Sequence, residues 1–295
     1  MSESDPPRRF RIVRPGEHPS DESQAGSSAR SARTTLDSIP GEFTNIFNLN
    51  GRIALISGGG GALARTIARG LADHGARLVI ADVDVEAATE TARHCDRPGY
   101  ESVSVMLDVT NPNLAREVVE HIEQTVGRVD ILVNAAGINI RRPATEYSPD
   151  EWMRIINTNL SGVFFVTQAV GRNMIARGYG RVLNLASVSS LLGHPFHAPY
   201  AASKGGIAIM TKSLATEWAP RGVTVNAIGP AYTETPLTRE YLADDERRQR
   251  VLAAIPMGRL GTPDDLVGAA VYLCSDAARF VTGQTLYIDG GRTAD

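Results

Sequence analysis

The sequence predicts an α/β protein with a single doubly wound parallel sheet of about seven strands and helices on both faces. Three observations support this prediction. From Asn48 onward, short apolar runs alternate with longer helical patterns. The runs are apolar almost throughout, as strands covered by helices on both faces must be. A cluster of glycines joins the first run to the first helical pattern, where sheets of this kind have their tightest turn.

The apolar runs and helical patterns are assigned in chain order. Strands are predicted because each run is short and rich in Val, Ile and Leu, at 52–57, 77–81, 102–107, 129–133, 182–185, 223–228 and 285–289. Helices are predicted at 62–74, 83–94, 113–126, 150–176 and 199–218, with another helical segment from Pro263. Gly75 and Gly127 directly follow two of these helices, where glycine readily adopts the left-handed conformation that ends a helix.

The first 43 residues differ in composition from the rest of the chain. They are rich in Ser, Arg, Pro and acidic residues and contain few bulky apolar side chains. Such a segment cannot bury enough apolar surface to offset the entropy lost on ordering. We therefore expect a disordered or loosely packed N-terminal extension over residues 1–43 and one domain over residues 44–295. Glu17 and Glu22 argue against a transit peptide, which is usually poor in acids.

Composition excludes several classes of protein. The 295 residues carry a formal net charge of -3, whereas nucleic-acid binders usually present a strongly basic face. The two cysteines, Cys95 and Cys274, are too few for a disulfide framework or a thiolate zinc site. No apolar run reaches the roughly 18 residues of a membrane span, and the start of the chain lacks the apolar core of a secretory signal. We expect a cytoplasmic protein that binds neither nucleic acid nor a membrane.

The glycine turn reads Ser57-Gly58-Gly59-Gly60-Gly61-Ala62-Leu63-Ala64. Glycines let backbone N–H groups approach a pyrophosphate closely, and a helix N-terminus favours its negative charge. Asp82 ends the second strand, 24 residues after Gly58, where an acidic side chain accepts hydrogen bonds from an adenosine ribose and repels a 2′-phosphate. These residues predict a dinucleotide site that prefers NAD to NADP. The alternatives are a merely tight strand–helix turn and an Asp82 that only caps the next helix.

Further motifs are spread over residues 50–292. Asn134-Ala135-Ala136-Gly137 follows the fourth strand, Ser187, Tyr200 and Lys204 have the spacing Ser-x12-Tyr-x3-Lys, and Asn159 lies in the stretch TNLSGVFF. Asp108-Val109 ends the third strand, Pro230 to Thr235 follow the sixth, and Ile288-Asp289-Gly290-Gly291 lies near the end of the chain. Through these motifs the chain resembles the short-chain dehydrogenases/reductases, a family of Rossmann-fold oxidoreductases.

The resemblance implies a role for each matched residue. Tyr200 is then the general acid/base, and Lys204 tunes Tyr200 and holds the nicotinamide ribose. Ser187 hydrogen-bonds the substrate oxygen, and Asn159 positions a water that relays protons. Cofactor contacts are implied for Ser57, Gly58, Gly60, Gly61, Ala62, Leu63, Asp82, Val83, Asp108, Val109, Asn134, Ala135, Ala136, Gly137, Tyr200, Lys204, Pro230, Ala231, Tyr232 and Thr235.

The chain departs from the family pattern at two places. Ala62 and Ala64 stand where the family's glycine turn usually has glycine, and a methyl group at Ala64 can crowd the pyrophosphate or the strand–helix contact. Ala231 replaces the glycine of the family's Pro-Gly motif. The resemblance also implies a homotetramer formed through the helices near 150–177 and 199–218.

Tyr200 and Lys204 are four residues apart, so a helix places them on one face. A free phenol has a pKa of about 10, and a neighbouring ammonium group lowers it by favouring the phenolate. Lowering the pKa to about 7–8 requires roughly 3–4 kcal/mol of differential stabilisation. We expect Lys204, helped by the positive nicotinamide, to supply it.

Two pairs of residues bear on the substrate. Arg141 and Arg142 follow the fourth strand, at the strand ends where such sheets bind ligands, and an arginine fork can hold a carboxylate. His194 and His197 precede Tyr200 and are candidates for hydrogen bonds to a polyhydroxy substrate. We expect no metal there, because no carboxylate cluster accompanies the histidines. The alternatives are a solvated arginine pair and histidines that only pack their loop.

The family resemblance extends to a subgroup. The arginine pair and the four-glycine turn resemble gluconate 5-dehydrogenases and related sugar-acid or polyol enzymes. Residues 232–256 are expected to form a lid over the substrate, and the charged run 244–250 is interpreted as a solvated helix face. We therefore expect an NAD-dependent dehydrogenase of a sugar acid or polyol. The alternatives are a 3-oxoacyl-(acyl-carrier-protein) reductase and a non-catalytic NAD-binding scaffold or sensor.

Overall fold

The computed structural model describes residues 45–97 and 101–294. The predicted extension over residues 1–43, and the boundary placed after it, lie outside the described residues. No helix in the two described ranges is long and apolar enough to cross a membrane.

Seven strands of the described chain form one sheet, and every pairing in it is parallel. In chain order they are β1 (Ile53–Ser57), β2 (Arg77–Asp82), β3 (Val103–Met106), β4 (Val129–Asn134), β5 (Gly180–Leu185), β6 (Val223–Pro230) and β7 (Thr285–Ile288). Across the sheet the order is β3-β2-β1-β4-β5-β6-β7. The predicted doubly wound sheet is therefore confirmed. Its winding reverses between β1 and β4, where such sheets bind ligands.

Nine α-helices lie within the described residues. They are α1 (Ala62–Asp73), α2 (Val85–Cys95), α3 (Pro112–Thr125), α4 (Pro149–Ile156), α5 (Gly162–Arg177), α6 (Ala198–Trp218), α7 (Pro236–Leu242), α8 (Asp245–Ala253) and α9 (Val267–Cys274). The first three predicted helices differ from these bounds by one or two residues, as helix ends usually do. The sequence analysis assigned no separate α7, and it treated α8 only as a charged run.

The helix predicted over residues 150–176 is interrupted. A π-helical turn at Asn157–Ser161 separates α4 from α5. This wider turn contains Asn159, whose side chain is completely buried. Single π-helical turns of this kind occur mainly at functional sites.

Two apolar layers cover the sheet. Helices α1, α2 and α9 pack on one face, and α3, α5 and α6 pack on the other. Successive strand residues alternate between the layers, so Ile56 belongs to the first and Leu55 to the second, both completely buried. This two-sided burial is the reason why the strands are apolar throughout.

Local signals in the sequence define several helix ends. Gly75 and Gly127 have φ angles of 102° and 131°, and they follow α1 and α3 as predicted. Asn111 caps the start of α3. Ser148 and Glu151 form a reciprocal capping box at the start of α4.

A chain of buried polar side chains links the strands below the edge where they end. Ser57 Oγ donates to Asn134 Oδ1 at 3.1 Å. Asn134 Nδ2 donates to Thr167 Oγ1 at 2.8 Å and to Asn184 Oδ1 at 2.9 Å. Asn184 Nδ2 in turn donates to Thr211 Oγ1 at 2.9 Å. This network joins β1, β4, β5, α5 and α6, and its polar atoms would be costly to bury without these partners.

Candidate active site

The glycine turn after β1 lies between β2 and the segment that follows β4. Gly58 has a φ angle of 70°, and a Cβ atom there would lie 2.4 Å from the Cα of Ala136. A Cβ atom at Gly60 would lie 2.7 Å from the Cβ of Ala87 and 3.1 Å from Oδ2 of Asp82. Because side chains do not fit at either position, the turn leaves a backbone cradle at the N-terminus of α1.

The cradle opens into a groove of about 390 Å³. The groove contains most of the predicted cofactor and catalytic residues: Gly60, Gly61, Ala62, Leu63, Ala135, Gly137, Ser187, Tyr200, Lys204, Pro230, Ala231 and Thr235. Thr233 and Thr238 also line it and were missed, because small polar residues in a loop give no distinctive sequence signal. Helix-start N–H groups at one end and a buried lysine at the other fit a nicotinamide dinucleotide, which carries a pyrophosphate.

The replacement of glycine by Ala64 is accommodated at the border of the groove. Ala64 lines the groove and is also part of the apolar layer around α1, where it is 1% exposed. Its methyl group therefore packs within the core as well as facing the site.

Asp82 is held in place at the end of β2. Its Oδ2 accepts a hydrogen bond from the N–H of Gly60 at 2.9 Å, and its Oδ1 accepts one from the N–H of Asp84 at 3.0 Å. The cap of α2 is Asp84, which accepts from the N–H of Ala87. Asp82 is therefore not the helix cap, and its carboxylate is fixed beside the glycine turn. Val83, which follows it, is 67% exposed.

Four residues predicted to contact the cofactor make their contacts within the protein, outside the groove. Ser57 and Asn134 belong to the buried polar network. Asp108 Oδ1 accepts hydrogen bonds from the N–H and hydroxyl of Thr110 at 2.9 and 2.7 Å. Val109 is buried against the start of α5. In the part of the chain that the structure describes, none of the four lines the groove. The sequence pattern located them correctly at strand ends but could not show which way the side chains point.

The predicted catalytic residues come together at the end of β5 and the start of α6. Ser187, Tyr200 and Lys204 all line the groove. Lys204 Nζ lies 5.7 Å from the centre of the Tyr200 ring and donates to the carbonyl oxygen of Leu185 at 2.5 Å. Ser187 Oγ accepts from the N–H of Ser189 at 3.1 Å, which fixes the orientation of its hydroxyl group.

Asn159 ties the segment after β4 to α6. Its Oδ1 accepts from the N–H of Ile138 at 2.8 Å, and its Nδ2 donates to the carbonyl of the same residue at 2.9 Å. Nδ2 also lies 3.2 Å from Ser203 Oγ. Asn159 Oδ1 and Lys204 Nζ both approach Gly137, at 3.5 and 3.7 Å from the position that a Cβ atom would take there. The predicted fourth catalytic residue is therefore next to Lys204.

The predicted lowering of the Tyr200 pKa by Lys204 and the positive nicotinamide stays a prediction, because burial of the phenol acts in the opposite direction. Burial raises the pKa of the Tyr200 phenol, and the neighbouring hydroxyl of Ser187 and the charge of Arg141 offset only part of this rise. Burial also lowers the pKa of Lys204 to about 8. The physical reason is that both groups lose water together, so each tends towards its neutral form.

Arg141 is positioned in the substrate region by His197. His197 Nδ1 lies 2.7 Å from the carbonyl oxygen of Pro195, so Nδ1 carries the proton and donates it. Nε2 is then an acceptor, and Arg141 Nε donates to it at 3.0 Å. Burial, together with the charge of Arg141, lowers the pKa of His197 and favours this neutral form. The guanidinium also lies over the ring of Tyr241, 4.7 Å from its centre.

Arg142 does not form a fork with Arg141. Its Nε donates to Glu151 Oε1 at 2.7 Å, and Glu151 belongs to α4. The predicted pair therefore divides, with one arginine fixed among aromatic rings and the other held by a carboxylate. Sequence spacing could not show this, because the partner Glu151 is at the same time the capping residue of α4.

A second cavity of about 800 Å³ adjoins the groove, and Ala231 lines both. It is lined by three of the predicted substrate residues, Arg141, Arg142 and His194, while His197 borders it through its contact with Arg141. Tyr232 and Tyr241 stack in it with ring centres 5.7 Å apart.

Several residues that line this cavity were not predicted as substrate residues from the sequence. Arg247 and Arg250 of α8 line it, and both are exposed, so the run 244–250 is a solvated helix face as expected but also borders the cavity. Their three-residue spacing, which places them on one face of a helix, was the available signal. Arg292, which follows β7, also lines the cavity, and no sequence pattern singled it out.

Comparison with known proteins agrees with this geometry. A family model described as enoyl-(acyl carrier protein) reductase matches residues 60–293. The chain is 39% identical over 249 residues to gluconate 5-dehydrogenase of Gluconobacter oxydans, covering 84% of this chain and 97% of the relative. It is 40% identical to 3-oxoacyl-(acyl-carrier-protein) reductase of Escherichia coli, covering 83% and 98%.

The chain belongs to the short-chain dehydrogenase/reductase family. Among solved structures, a gluconate 5-dehydrogenase from Burkholderia cenocepacia in complex with NADP and tartrate is similar, with a TM-score of 0.82 and 43% identity. The match covers 85% of this chain and 98% of that one. The protein is thus an oxidoreductase that acts on CH–OH groups with a nicotinamide cofactor, and the alternative of a non-catalytic scaffold is not supported.

The residues of this dehydrogenase have clear chemical tasks. When bound, the oxidised nicotinamide accepts a hydride and adds a positive charge to the site. Ser187 and Tyr200 line the same groove, so the roles expected for them are to hydrogen-bond the alcohol oxygen and, for Tyr200, to take the hydroxyl proton as the carbonyl forms. Lys204, held by the carbonyl of Leu185, provides a cation below Tyr200 whenever its amine is protonated.

Lys204 is one of two lysines in the chain, and the other, Lys212, is exposed on the same helix. We expect Lys204→Met to abolish turnover. We also expect it to raise the free energy of unfolding at pH 7 by about 2 kcal/mol. The variant removes the cost of burying a charge and loses only one hydrogen bond. Between pH 8 and about 10.5, the unfolded chain keeps a proton on Lys204 that the native chain has released. Wild-type stability therefore rises with pH in this window, and the advantage of the variant shrinks.

Urea unfolding at pH 7 and pH 10 measures this difference, with Lys212→Met as the matched control. The control is expected to retain both activity and the wild-type dependence of stability on pH. A Lys204→Met protein that is less stable than the wild type at pH 7 would contradict the assigned cost of burying the charge.

Proposed function

We propose that this dehydrogenase oxidises a secondary alcohol of a sugar acid with NAD, and reduces the corresponding ketone with NADH, as a gluconate 5-dehydrogenase does. The observation that carries the proposal is Arg141. Its guanidinium is fixed by His197 and Tyr241, and its charge acts on the phenol of Tyr200. A carboxylate bound to Arg141 would therefore place a nearby hydroxyl of the same molecule within reach of Tyr200.

The reaction balances within this arrangement. The alcohol carbon transfers a hydride to NAD, and the hydroxyl proton passes to Tyr200. Loss of both leaves a ketone, NADH and a proton that the enzyme releases to water. The named relatives support the substrate class, since the Gluconobacter protein is a gluconate 5-dehydrogenase and the Burkholderia structure is a complex with tartrate, itself a hydroxy acid.

Arg141→Gln tests the role of the carboxylate. We expect kcat/KM for gluconate with NAD to fall about 100-fold, because a charge-assisted hydrogen bond to the carboxylate is lost. For sorbitol, an uncharged polyol, kcat/KM is expected to change less than about threefold, because the arginine has no carboxylate to bind. Arg142→Gln is the matched comparison, and its effect on gluconate is expected to be smaller because Arg142 is already paired with Glu151. Equal losses for gluconate and sorbitol would contradict a carboxylate at Arg141.

The proposed preference for NAD rests on Asp82. Its carboxylate is fixed by two backbone N–H groups, so it cannot easily move away from a 2′-phosphate. The Burkholderia relative has NADP in its structure, so the relatives do not decide the cofactor of this chain.

Asp82→Asn is expected to raise the ratio of kcat/KM with NADP to kcat/KM with NAD by about 10-fold or more, because it removes the repelling charge. Glu86→Gln, which removes an exposed carboxylate in the first turn of α2, serves as the control. The cofactor ratio of the control is expected to stay close to that of the wild type. A wild-type enzyme that prefers NADP would contradict the proposed preference for NAD, whatever the cofactor ratio of the variant.

A 3-oxoacyl-(acyl-carrier-protein) reductase is the second candidate, favoured by the 40% identity to the Escherichia coli enzyme. The fixed arginine in the substrate cavity favours the sugar-acid reaction instead. An assay of acetoacetyl thioester reduction, run beside gluconate oxidation, separates the two candidates. We also propose a cytoplasmic location, consistent with the free thiols of Cys95 and Cys274 and testable by cell fractionation.

We further propose a homotetramer formed through α4, α5 and α6. Large apolar side chains on these helices are exposed in the single chain, namely Trp152, Phe164 and Ile209 at 40%, 36% and 62%. Light scattering is expected to give about four times the chain mass of 31.6 kDa. Ile209→Glu is expected to yield smaller species, whereas Met106→Glu on the edge strand β3 is not. A wild-type monomer would contradict the assembly without affecting the proposed reaction.

A further inference from the structure

The cavity beside the catalytic residues contains more positive charge than one carboxylate requires. Arginines from three parts of the chain line it against the single acid Glu240, namely Arg141, Arg142, Arg247, Arg250 and Arg292. Arg142 is paired with Glu151, and Arg250 approaches Glu246 at 3.8 Å. Within residues 45–97 and 101–294, no carboxylate oxygen lies within 4.0 Å of a side-chain nitrogen of the other three.

Those three arginines divide into two groups, here called poles. Arg141 and Arg247 converge on the ring of Tyr241, with their Cζ atoms 4.7 and 5.4 Å from its centre. Arg292 is the second pole and lines the cavity together with His194. Burial and the charge of Arg292 lower the pKa of His194.

The two poles act on different histidines. The charge of Arg141 is felt at His197, whereas the charge of Arg292 is felt at His194. The two imidazole rings are 6.0 Å apart, centre to centre. A ligand that fills the cavity can therefore meet both groups of cations. Like charges that share one cavity repel, so two such poles are most stable when each faces an anion.

Two buried polar atoms of this cavity lack a partner in the described chain. They are Nε2 of His194 and Oδ1 of Asn139. Buried polar atoms are normally hydrogen-bonded, so these two need a partner from outside the chain, and a bound substrate can supply it. A neutral His194 can donate from Nε2 to an anionic oxygen, and Asn139 Oδ1 can accept from a hydroxyl group.

The size of the cavity allows a substrate with a further group. Its volume of about 800 Å³ lies towards the upper end of the roughly 300–1,000 Å³ that small-molecule pockets occupy. A sugar acid bound by its carboxylate at Arg141 would leave the pole at Arg292 free for a second group on the same molecule.

We propose that the substrate is a sugar acid with two anionic groups, one bound by Arg141 and Arg247 and the other by Arg292 and Nε2 of His194. The second group is a carboxylate, as in an aldaric acid, or a phosphate monoester, as in a phosphorylated aldonic acid. The inference rests on the proposed oxidation of a sugar acid and adds a second anionic group to that substrate. Anchoring at both ends fixes which hydroxyl group of the chain meets Tyr200, and so selects the carbon that is oxidised.

The test compares gluconate, glucarate and 6-phosphogluconate as substrates with NAD. We expect wild-type kcat/KM for one of the two dianions to exceed that for gluconate by about tenfold or more, since the second group gains charge-assisted hydrogen bonds. Arg292→Gln is expected to lower kcat/KM for that dianion about tenfold more than it lowers kcat/KM for gluconate. Arg248→Gln is the control, because Arg248 is on α8 but is paired with Glu234 and does not line the cavity.

Each result has a defined meaning. Preference for glucarate identifies a carboxylate at the second pole, and preference for 6-phosphogluconate identifies a phosphate. If kcat/KM for gluconate equals or exceeds that for both dianions, the proposal of a second anionic group on the substrate is wrong. The proposed oxidation of a sugar acid would still stand. Turnover of an uncharged alcohol with no turnover of any acid would overturn the proposed function itself. If Arg292→Gln does not fold, His194→Gln provides the same comparison.

Discussion

The hydrogen-bonded chain through Asn134 is the interaction on which the rest of the site depends. It joins β1, β4, β5, α5 and α6 through side chains that are almost completely buried. The glycine turn follows β1, the anchor of Asn159 follows β4, Ser187 follows β5, and Lys204 stands on α6. A slip of any of these elements along its neighbour would break a buried hydrogen bond, which costs about 1–3 kcal/mol for each polar atom left without a partner. The network therefore fixes the positions, along the strand direction, of the segments that carry the candidate catalytic and cofactor-binding groups.

Burial has opposite consequences for the two parts of the site. At the catalytic end it raises the pKa of Tyr200 and lowers that of Lys204 to about 8, so burial disfavours the charged form of both groups. The same loss of water strengthens any charge that enters, because electrostatic interactions grow as the effective dielectric falls. In the substrate cavity, burial keeps His194 and His197 neutral, which leaves the arginines as the charged groups there. The site is thus prepared to respond to charge on its ligands.

The sequence was sufficient for what depends on local pattern. The apolar runs predicted all seven strands, and the motif spacing predicted that Ser187, Tyr200 and Lys204 would meet in one groove. It failed where the outcome depends on which way a side chain points or on a distant partner. Asn134 turns into the core instead of the groove, and Arg142 turns to Glu151 of α4. These outcomes follow from pairings far apart in the chain, which no periodicity encodes.

The loop before α6 shows how backbone geometry determines the orientation of Arg141. Phe196 has a φ angle of 66°, a conformation that costs a non-glycine residue about 1–3 kcal/mol. Its carbonyl oxygen accepts from the N–H of Arg142 at 3.3 Å and lies 2.9 Å from the Tyr147 hydroxyl, and these contacts hold the loop in this shape. The same loop presents the carbonyl of Pro195 to His197 Nδ1 and so leaves Nε2 as the acceptor for Arg141. Backbone conformation thus selects the tautomer of His197, the tautomer orients Arg141, and Arg141 is the group best placed to fix a carboxylate opposite Tyr200. If Arg141 binds the substrate carboxylate as proposed, the strain at Phe196 contributes to recognition, because a relaxed loop would release the contacts that orient the arginine.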